Sequence, residues 1–173
     1  MRKKFWVKAL LCVLAIELLG GLGGFITSTS VKDWYPTLEK PPGTPPNWVF
    51  GPVWTTLYAL MGIALARVWH QGETGLPKKR ALTWFAIQMA LNVIWTPVFF
   101  GLHQLGAALV VIVLLWIAIL MTNRKFCPID RLASWLLVPY LVWVSYASYR
   151  NAGNWWLNRS MTSTSSLPIF EKC

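Results

Sequence analysis

Aromatic side chains recur at helical spacing in this sequence, inside segments that are otherwise apolar. Trp54 and Tyr58 are four residues apart, and Trp143 and Tyr146 are three residues apart. Residues at these spacings share one face of an α-helix, so each pair offers flat ring surface to one side. Aromatic walls with a few polar groups suit a flat apolar ligand, which is the chemistry that these pairs favour.

Two interpretations of the twelve tryptophans stay open. Trp collects at membrane interfaces, where one edge of the ring is wet, and such a belt accounts for about half of them. It accounts poorly for Trp54 and Trp143, which lie well inside apolar segments. Aromatic residues gather at one level of the predicted bundle: Trp34, Tyr35, Trp48, Trp54, Tyr58, Trp95, Trp143 and Tyr146. Of these we expect Trp48, Trp54, Trp95 and Trp143 to converge on a pocket.

A polar side chain inside a membrane span costs free energy and is a functional candidate for that reason. Gln88 and Asn92, at i and i+4, share a helix face. They could form a hydrogen bond between helices or contact a ligand, and both alternatives stay open. Glu17 is interpreted as structural, either protonated or paired, because no second buried acid offers a proton relay. Ser145 and Ser148 complete the polar set.

Several kinds of site are not indicated. No Ser/His/Asp set, phosphate-binding glycine loop or carboxylate pair is visible, and the three cysteines lack the spacing of a zinc site or a disulfide framework, so no metal is expected. His70 and His103 fall at span ends, where a solvated histidine is favoured over a haem ligand. The net charge of +10 does not indicate nucleic-acid binding, because the basic residues lie in short gaps between apolar segments.

The composition indicates a membrane protein. Hydrophobic residues make up 55% of the chain and charged residues 13%, whereas a soluble domain has about a quarter charged residues. We predict an all-α integral membrane protein, a five-transmembrane-helix bundle over residues 1–157, with spans at 5–27, 46–69, 81–100, 105–121 and 132–155. A loop rich in proline occupies 30–46, and a polar tail over 158–173 is expected to be disordered.

The distribution of basic residues predicts the orientation. Eleven of the sixteen lie on the N-terminal side of the predicted topology. The positive-inside rule then places the N-terminus in the cytoplasm and the loop rich in proline outside, in a bacterial cell membrane. For a eukaryotic source the expected location is the mitochondrial outer membrane.

Motifs in three spans and one loop resemble a known family. They are WYPTLEKP in the loop, PPNWVFGPVWTTLYALMGIAL in the second span, ALNVIWTPVFFG in the third and LLVPYLVWVSYASY in the fifth. In this order and spacing they resemble the TspO/MBR family, the tryptophan-rich sensory proteins and translocator proteins, also called peripheral benzodiazepine receptors. The resemblance covers roughly residues 5–157.

The resemblance implies a five-helix bundle, often a homodimer, with a pocket beneath the loop between spans one and two. By motif, the ligand-binding residues would be Tyr35, Pro45, Phe50, Trp54, Asn92, Trp95, Trp143, Tyr146 and Ala147. Dimer contacts could use the glycines between Gly20 and Gly24 or the small residues Ala86 and Ala90. A weak sterol-recognition pattern is matched by Val144, Tyr146 and Arg150.

The resemblance also implies a function, a membrane receptor or sensor of tetrapyrroles such as protoporphyrin IX and haem, with sterols or benzodiazepine-type molecules as further ligands. No cofactor is required, since the porphyrin is itself the ligand. An alternative is an enzyme that degrades protoporphyrin in light, for which Trp54 and Trp143 are the catalytic candidates. A further alternative is transport of porphyrin or sterol, although the sequence offers no site for a coupling ion.

Overall fold

A computed structural model describes residues 2–71 and 75–164 of the chain. Its helices are α1 (Arg2–Asp33), α2 (Phe50–His70), α3 (Leu76–Thr96), α4 (Leu105–Phe126), α5 (Arg131–Leu136) and α6 (Val138–Thr164). Five segments are long and apolar enough to cross a membrane: Lys4–Phe25, Asn47–His70, Leu76–Gly101, Leu105–Phe126 and Arg131–Arg159. The predicted all-α, five-span architecture is confirmed.

The helices extend beyond several predicted boundaries. Helix α1 continues to Asp33, so the loop begins at Trp34 rather than at residue 30. No proline interrupts α1, and after the helix ends at Asp33 the chain forms a short 3₁₀ turn over Tyr35–Thr37, which contains Pro36. Helix α3 is prolonged by one π-helical turn over Pro97–Gly101, where the missing N–H of Pro97 weakens ordinary helical bonding.

The last span consists of two helices rather than one. The short α5 ends at Leu136, and α6 begins at Val138, next to Pro139. A proline inside a helix removes one backbone hydrogen bond, which accounts for the break at this point. Helix α6 then runs to Thr164, so the expected disordered tail does not begin at residue 158. Residues 165–173 lie outside the described part of the chain, and their disorder stays a prediction.

The loop between α1 and α2 is fastened to α6. The Asn158 side chain accepts a hydrogen bond from the Glu39 N–H at 3.0 Å and donates one to the Glu39 carbonyl at 3.0 Å. The Tyr146 hydroxyl donates to the Gly43 carbonyl at 2.6 Å. Pro41 is buried against Gly153, where an added Cβ would lie 2.7 Å from the proline ring. The loop is therefore a lid with a defined shape.

Close packing joins α1 to α2 at Gly62. Gly62 of α2 is buried, and a Cβ added there would lie 2.6 Å from the Cα of Val13 in α1. Glycine at such contacts lets two helix backbones approach closely within a membrane. The outer face of α1 is exposed and apolar, as Leu18 and Phe25 illustrate, which suits contact with lipid.

Gly62→Ala should separate α1 from α2, because backbone atoms of Val13 cannot move aside as a flexible side chain would. Overpacking of this kind costs about 1–3 kcal/mol of unfolding free energy. Gly51→Ala is the matched control in the same helix, since nothing lies within 4 Å of a Cβ added there. Circular dichroism during detergent unfolding should show a lower stability for the first variant only, and equal stabilities would contradict the contact.

An ion pair at the opposite end from the lid joins α2 to α5. The Arg67 guanidinium lies 2.9 Å from Oδ2 of Asp130, whose Oδ1 accepts the Ala133 N–H at 2.9 Å and caps α5. Gln71 donates a further bond to Oδ2 at 3.1 Å. Burial by itself would raise the pKa of Asp130, but these donors and the Arg67 charge outweigh it, so the pKa is lowered below its ordinary value of 3.8.

The stability that Asp130 contributes should depend on pH. Since its pKa is lower in the folded state, the contribution is complete above pH 3.8 and is lost as the pH falls through the folded value. Asp130→Ala should cost about 1–3 kcal/mol at neutral pH, because it removes both the cap and the partner of Arg67. Unfolding titrations between pH 7 and 3 should show an acid-dependent loss in the wild type that Asp130→Asn lacks. The same acid loss in both would contradict this assignment.

Candidate functional site

A cavity of about 540 Å³ lies beneath the lid, among α1, α2, the end of α3 and α6. Its volume falls within the range of small-molecule sites, about 300–1,000 Å³. Seven of the nine residues predicted to bind ligand form part of its wall: Tyr35, Phe50, Trp54, Trp95, Trp143, Tyr146 and Ala147. Residues distant in sequence therefore meet at one place.

The aromatic rings of the wall support one another. Trp54 lies against Tyr58 with ring centres 5.2 Å apart, and Trp143 contacts Tyr146 at 5.6 Å. Phe50 meets Trp143 edge to face at 6.0 Å, which connects the α2 and α6 sides. Aromatic pairs at these distances are mutually stabilising, and each ring is held in place by its neighbour. The pair Trp54 and Tyr58 and the pair Trp143 and Tyr146 are thus parts of one surface.

Several aromatic residues expected near the pocket lie elsewhere. Trp48 is 74% exposed, so its predicted convergence with the other rings is wrong. Trp34 stacks on His103 with ring centres 4.0 Å apart, outside the cavity wall. Pro45 is half-buried in the lid and is not part of the wall. These three residues lie between α1 and α2, where the chain does not follow the period of an α-helix. Their spacing in the sequence therefore does not predict the direction of their side chains.

Asn92 lies behind the wall rather than in it. Its Oδ1 accepts a hydrogen bond from the Tyr58 hydroxyl at 3.1 Å, and its Nδ2 donates to the Tyr140 hydroxyl at 2.9 Å. Of the two alternatives for this residue, the structure shows the hydrogen bond between helices. Because Tyr58 belongs to the cavity wall and packs on Trp54, Asn92 positions the wall without facing the cavity.

Gln88, one turn before Asn92, is fully buried, and neither polar atom of its side chain has a partner among the described residues. Of the two alternatives left open for Gln88, neither a hydrogen bond to another helix nor a place in the cavity wall is seen within the described residues. The Ser145 Oγ accepts a hydrogen bond from the Trp116 indole of α4 at 2.8 Å, and both serines of the fifth span also donate locally. Ser145 and Ser148 each donate to the backbone carbonyl four residues earlier at 2.8 Å.

Sequence reasoning missed part of the wall on α1. Glu17, interpreted there as structural, lines the cavity together with Gly20, Gly21, Gly23 and Gly24. Gly20 lies against Tyr58, and a Cβ added there would be 2.0 Å from the ring. A helix face made of glycines has no side chains and leaves room for a ligand. The spacing of these glycines in the sequence indicates helix packing and does not indicate such a space.

Dimerisation through Gly21 and Gly24, or through the exposed Ala86 and Ala90, stays a prediction.

The cavity opens between α1 and the start of α2. All of its exposed wall residues lie on these two segments, at spacings of three or four residues: Gly21, Gly24, Ser28 and Lys32, and Asn47, Gly51 and Thr55. Each set follows one helix face, and most members are small. The opening therefore lies on the side of the bundle, between α1 and α2 and close to the lid.

Polar groups collect at the lid end of the cavity. Arg150 of α6 donates a hydrogen bond to the hydroxyl of Tyr35, the lid residue in the wall. Burial raises the pKa of Tyr35, and the Arg150 charge offsets this only in part, so the phenol stays neutral at physiological pH. Asn151 accepts a hydrogen bond from the Trp95 indole at 3.1 Å. The sequence reasoning named Arg150 only as part of the sterol pattern and did not name Asn151.

The two histidines lie away from the cavity wall. His70 packs edge to face on Phe5 near the opposite end of the bundle, with ring centres 5.5 Å apart, and His103 stacks on Trp34. Within the described residues no group of three or more His, Cys, Asp or Glu side chains could hold a metal ion. The cavity wall offers aromatic rings, hydrogen-bonding groups and the charged residues Glu17, Lys32 and Arg150.

Comparison with known proteins adds a family to this geometry. The model of the TspO/MBR family matches residues 11–157. The tryptophan-rich protein TspO of Chlorobaculum tepidum is 44% identical over 145 residues, which cover 82% of this chain and 89% of the relative. Protein CrtK of Rhodobacter capsulatus is 42% identical over 125 residues, 72% and 78% of the two chains. The human translocator protein is 37% identical over 169 residues, 94% and 97% of the two chains.

Asn92 and Gln88 should respond oppositely to removal of the amide. Asn92→Leu loses two hydrogen bonds, each worth about 0.6 kcal/mol on average in membrane proteins, and leaves two buried hydroxyls unpaired. Gln88→Met removes a buried amide that has no partner, so stability should be unchanged or higher. Detergent unfolding followed by circular dichroism measures both, and destabilisation by Gln88→Met as large as that by Asn92→Leu would contradict the assignment.

Proposed function

The chain belongs to the TspO/MBR family, and from this premise we propose that it is a membrane receptor or sensor that binds a tetrapyrrole, protoporphyrin IX or haem, in the cavity beneath the lid. Family membership supports the receptor or sensor role. The observation that carries the choice of ligand is the convergence of Trp54, Trp95 and Trp143 from three spans on one cavity.

Ring geometry supports a flat ligand. Phe50 and Trp143 approach each other edge to face across the α2 and α6 sides of the wall, so the wall offers both faces and edges of rings. A porphyrin macrocycle is flat, apolar and aromatic, and it gains most from stacking against such surfaces. The tetrapyrrole proposal therefore rests on shape and on ring chemistry.

The sterol proposal has weaker support. Of the three residues in the sterol-recognition pattern, Tyr146 and Arg150 line the cavity, whereas Val144 is buried in the core with 1% exposure. The three side chains do not form one surface. Transport of porphyrin or sterol would be supported by the sideways opening, but such a role would have to run without a coupling-ion site.

Degradation of protoporphyrin in light is the second candidate function. The observation in its favour is that both catalytic candidates, Trp54 and Trp143, line the cavity. Indole is readily oxidised, so a photoexcited porphyrin held here could take an electron from either ring. Stacking alone would place the rings equally well, which is why illumination is needed to separate the two functions.

Location and assembly follow from the same premise. We expect a multi-pass protein of a bacterial cell membrane, with the N-terminus in the cytoplasm and the lid outside, because eleven of the sixteen basic residues lie on the same side of the predicted topology as the N-terminus. A homodimer could use Ala86 and Ala90, whose small side chains are exposed on α3. Crosslinking through cysteines at these positions would test that face.

Protoporphyrin IX should quench the tryptophan fluorescence of the purified protein in the dark with micromolar affinity. Trp143→Ala should weaken binding about tenfold, because removal of one stacked ring costs on the order of 1–3 kcal/mol. Trp135→Ala is the matched control, since Trp135 is 61% exposed and lies outside the cavity. Equal affinity in all three proteins would remove the cavity as the binding site.

The same samples under illumination separate a receptor from an enzyme. If the protein is an enzyme, porphyrin absorbance should fall faster with the wild type than with Trp54→Phe, which keeps an aromatic ring but is harder to oxidise. Equal bleaching rates for the two proteins and for free porphyrin would remove catalysis and leave the binding function intact.

A further inference from the structure

Arg150 is a buried cation at the lid end of the cavity. The residue is 5% exposed and forms part of the cavity wall. Its guanidinium carbon lies 5.9 Å from the ring centre of Tyr35 and 5.7 Å from that of Phe50, and a terminal nitrogen donates to the Tyr35 hydroxyl. Two aromatic rings, one of them the neutral phenol of Tyr35, thus lie next to the charge.

The charge of Arg150 is not compensated within the described chain. No carboxylate of residues 2–71 or 75–164 lies within ion-pair distance of it, and its Nε is buried without an acceptor. Arg67 provides the contrast, since its guanidinium pairs with Asp130 at 2.9 Å. A buried charge without a partner is costly, so such a group usually serves a ligand.

Glu17, the acidic residue of the wall, lies too deep to pair with Arg150. It is located one turn from Gly20, which packs on Tyr58, whereas Arg150 is at the level of Phe50. Phe50 and Tyr58 are eight residues apart in α2, a rise of about 12 Å. The cavity is therefore positive near the lid, where the exposed Lys32 also lines it.

A second unsatisfied polar group lies one turn along α6. Asn154 is part of the same cavity wall, and its Oδ1 atom is buried without a partner among the residues described. An amide side chain can rotate to present its N–H₂ instead of its oxygen. Arg150 and Asn154 can thus both donate to an acceptor at the lid end.

We propose that Arg150, assisted by Asn154, binds a carboxylate of the ligand, so that the cavity selects flat apolar molecules carrying an acidic group at one edge. Guanidinium binds carboxylate through two parallel hydrogen bonds, an arrangement that an ammonium group or a hydroxyl cannot reproduce. The inference rests on the proposed function, because it assumes that the cavity is the ligand site. In this arrangement the ring system of the ligand lies against the aromatic wall, and its acidic group lies at the lid end of the cavity.

Protoporphyrin IX and its dimethyl ester form a matched pair of probes for this proposal. They share the same macrocycle, and only the diacid carries carboxylates. Titrations of tryptophan fluorescence in nanodiscs, in the dark, should show the wild type binding the diacid at least tenfold more tightly than the ester. Arg150→Gln should bind both with the affinity that the wild type has for the ester, and Arg150→Lys should restore part of the preference.

Arg159→Gln is the control for charge. It removes one positive charge from the same helix, at a residue that packs on Trp156 at 3.7 Å and does not line the cavity. Its preference for the diacid should equal that of the wild type. Tyr35→Phe, which keeps the ring and removes the hydroxyl, should keep the preference as well, since Arg150 would still be free to bind the acid.

The outcomes separate this inference from the proposed function. Binding of neither probe by the wild type would overturn the proposed function. Tight binding of both probes with equal affinity by the wild type would overturn the anion site and leave the aromatic cavity standing. This comparison needs no variant, so it decides the question even if Arg150→Gln fails to fold. Loss of the diacid preference in Arg159→Gln would also overturn it, because a general charge effect would then suffice.

Discussion

Satisfaction of polar groups away from water is the constraint on which this structure depends. Inside a bilayer a hydroxyl or amide has no water to bond, so it must find a protein partner or remain costly. Asn92 uses both ends of its amide on Tyr58 and Tyr140, and it thereby joins α2, α3 and α6 at one point. Tyr58 carries Trp54 on its ring. One hydrogen-bonded junction thus sets the position of an aromatic wall.

The lid obeys the same constraint in a different way. Its prolines remove backbone donors, and backbone groups of Glu39 and Gly43 bond to the side chains of Asn158 and Tyr146 in α6. The roof and the α6 wall of the cavity therefore move as one unit. The α1 side is built from glycine and makes few such bonds. The cavity is therefore held by hydrogen bonds on the α6 side and is open on the α1 side.

The five spans and the aromatic faces could be predicted because they follow from regular patterns. Span length comes from hydropathy, and the pairing of Trp54 with Tyr58 comes from helix periodicity. The break at Leu137 follows from Pro139, which is visible in the sequence, whereas the extension of α6 to Thr164 follows from no regular pattern and could not be predicted. The inward position of Glu17, and the burial of Arg150 without a carboxylate partner among residues 2–71 and 75–164, depend on how each helix is rotated in the bundle. Spacing along one chain does not provide that rotation.

The sideways opening between α1 and α2 changes what a binding constant means for this protein. An apolar molecule that enters between α1 and α2 from the bilayer comes from the hydrocarbon phase of the lipid rather than from the aqueous buffer. Its relevant concentration is its mole fraction among the lipids, which partitioning raises far above the amount dissolved in water. Adding lipid at constant protein dilutes such a molecule even though the aqueous volume is unchanged. An apparent affinity therefore describes the protein and its bilayer together.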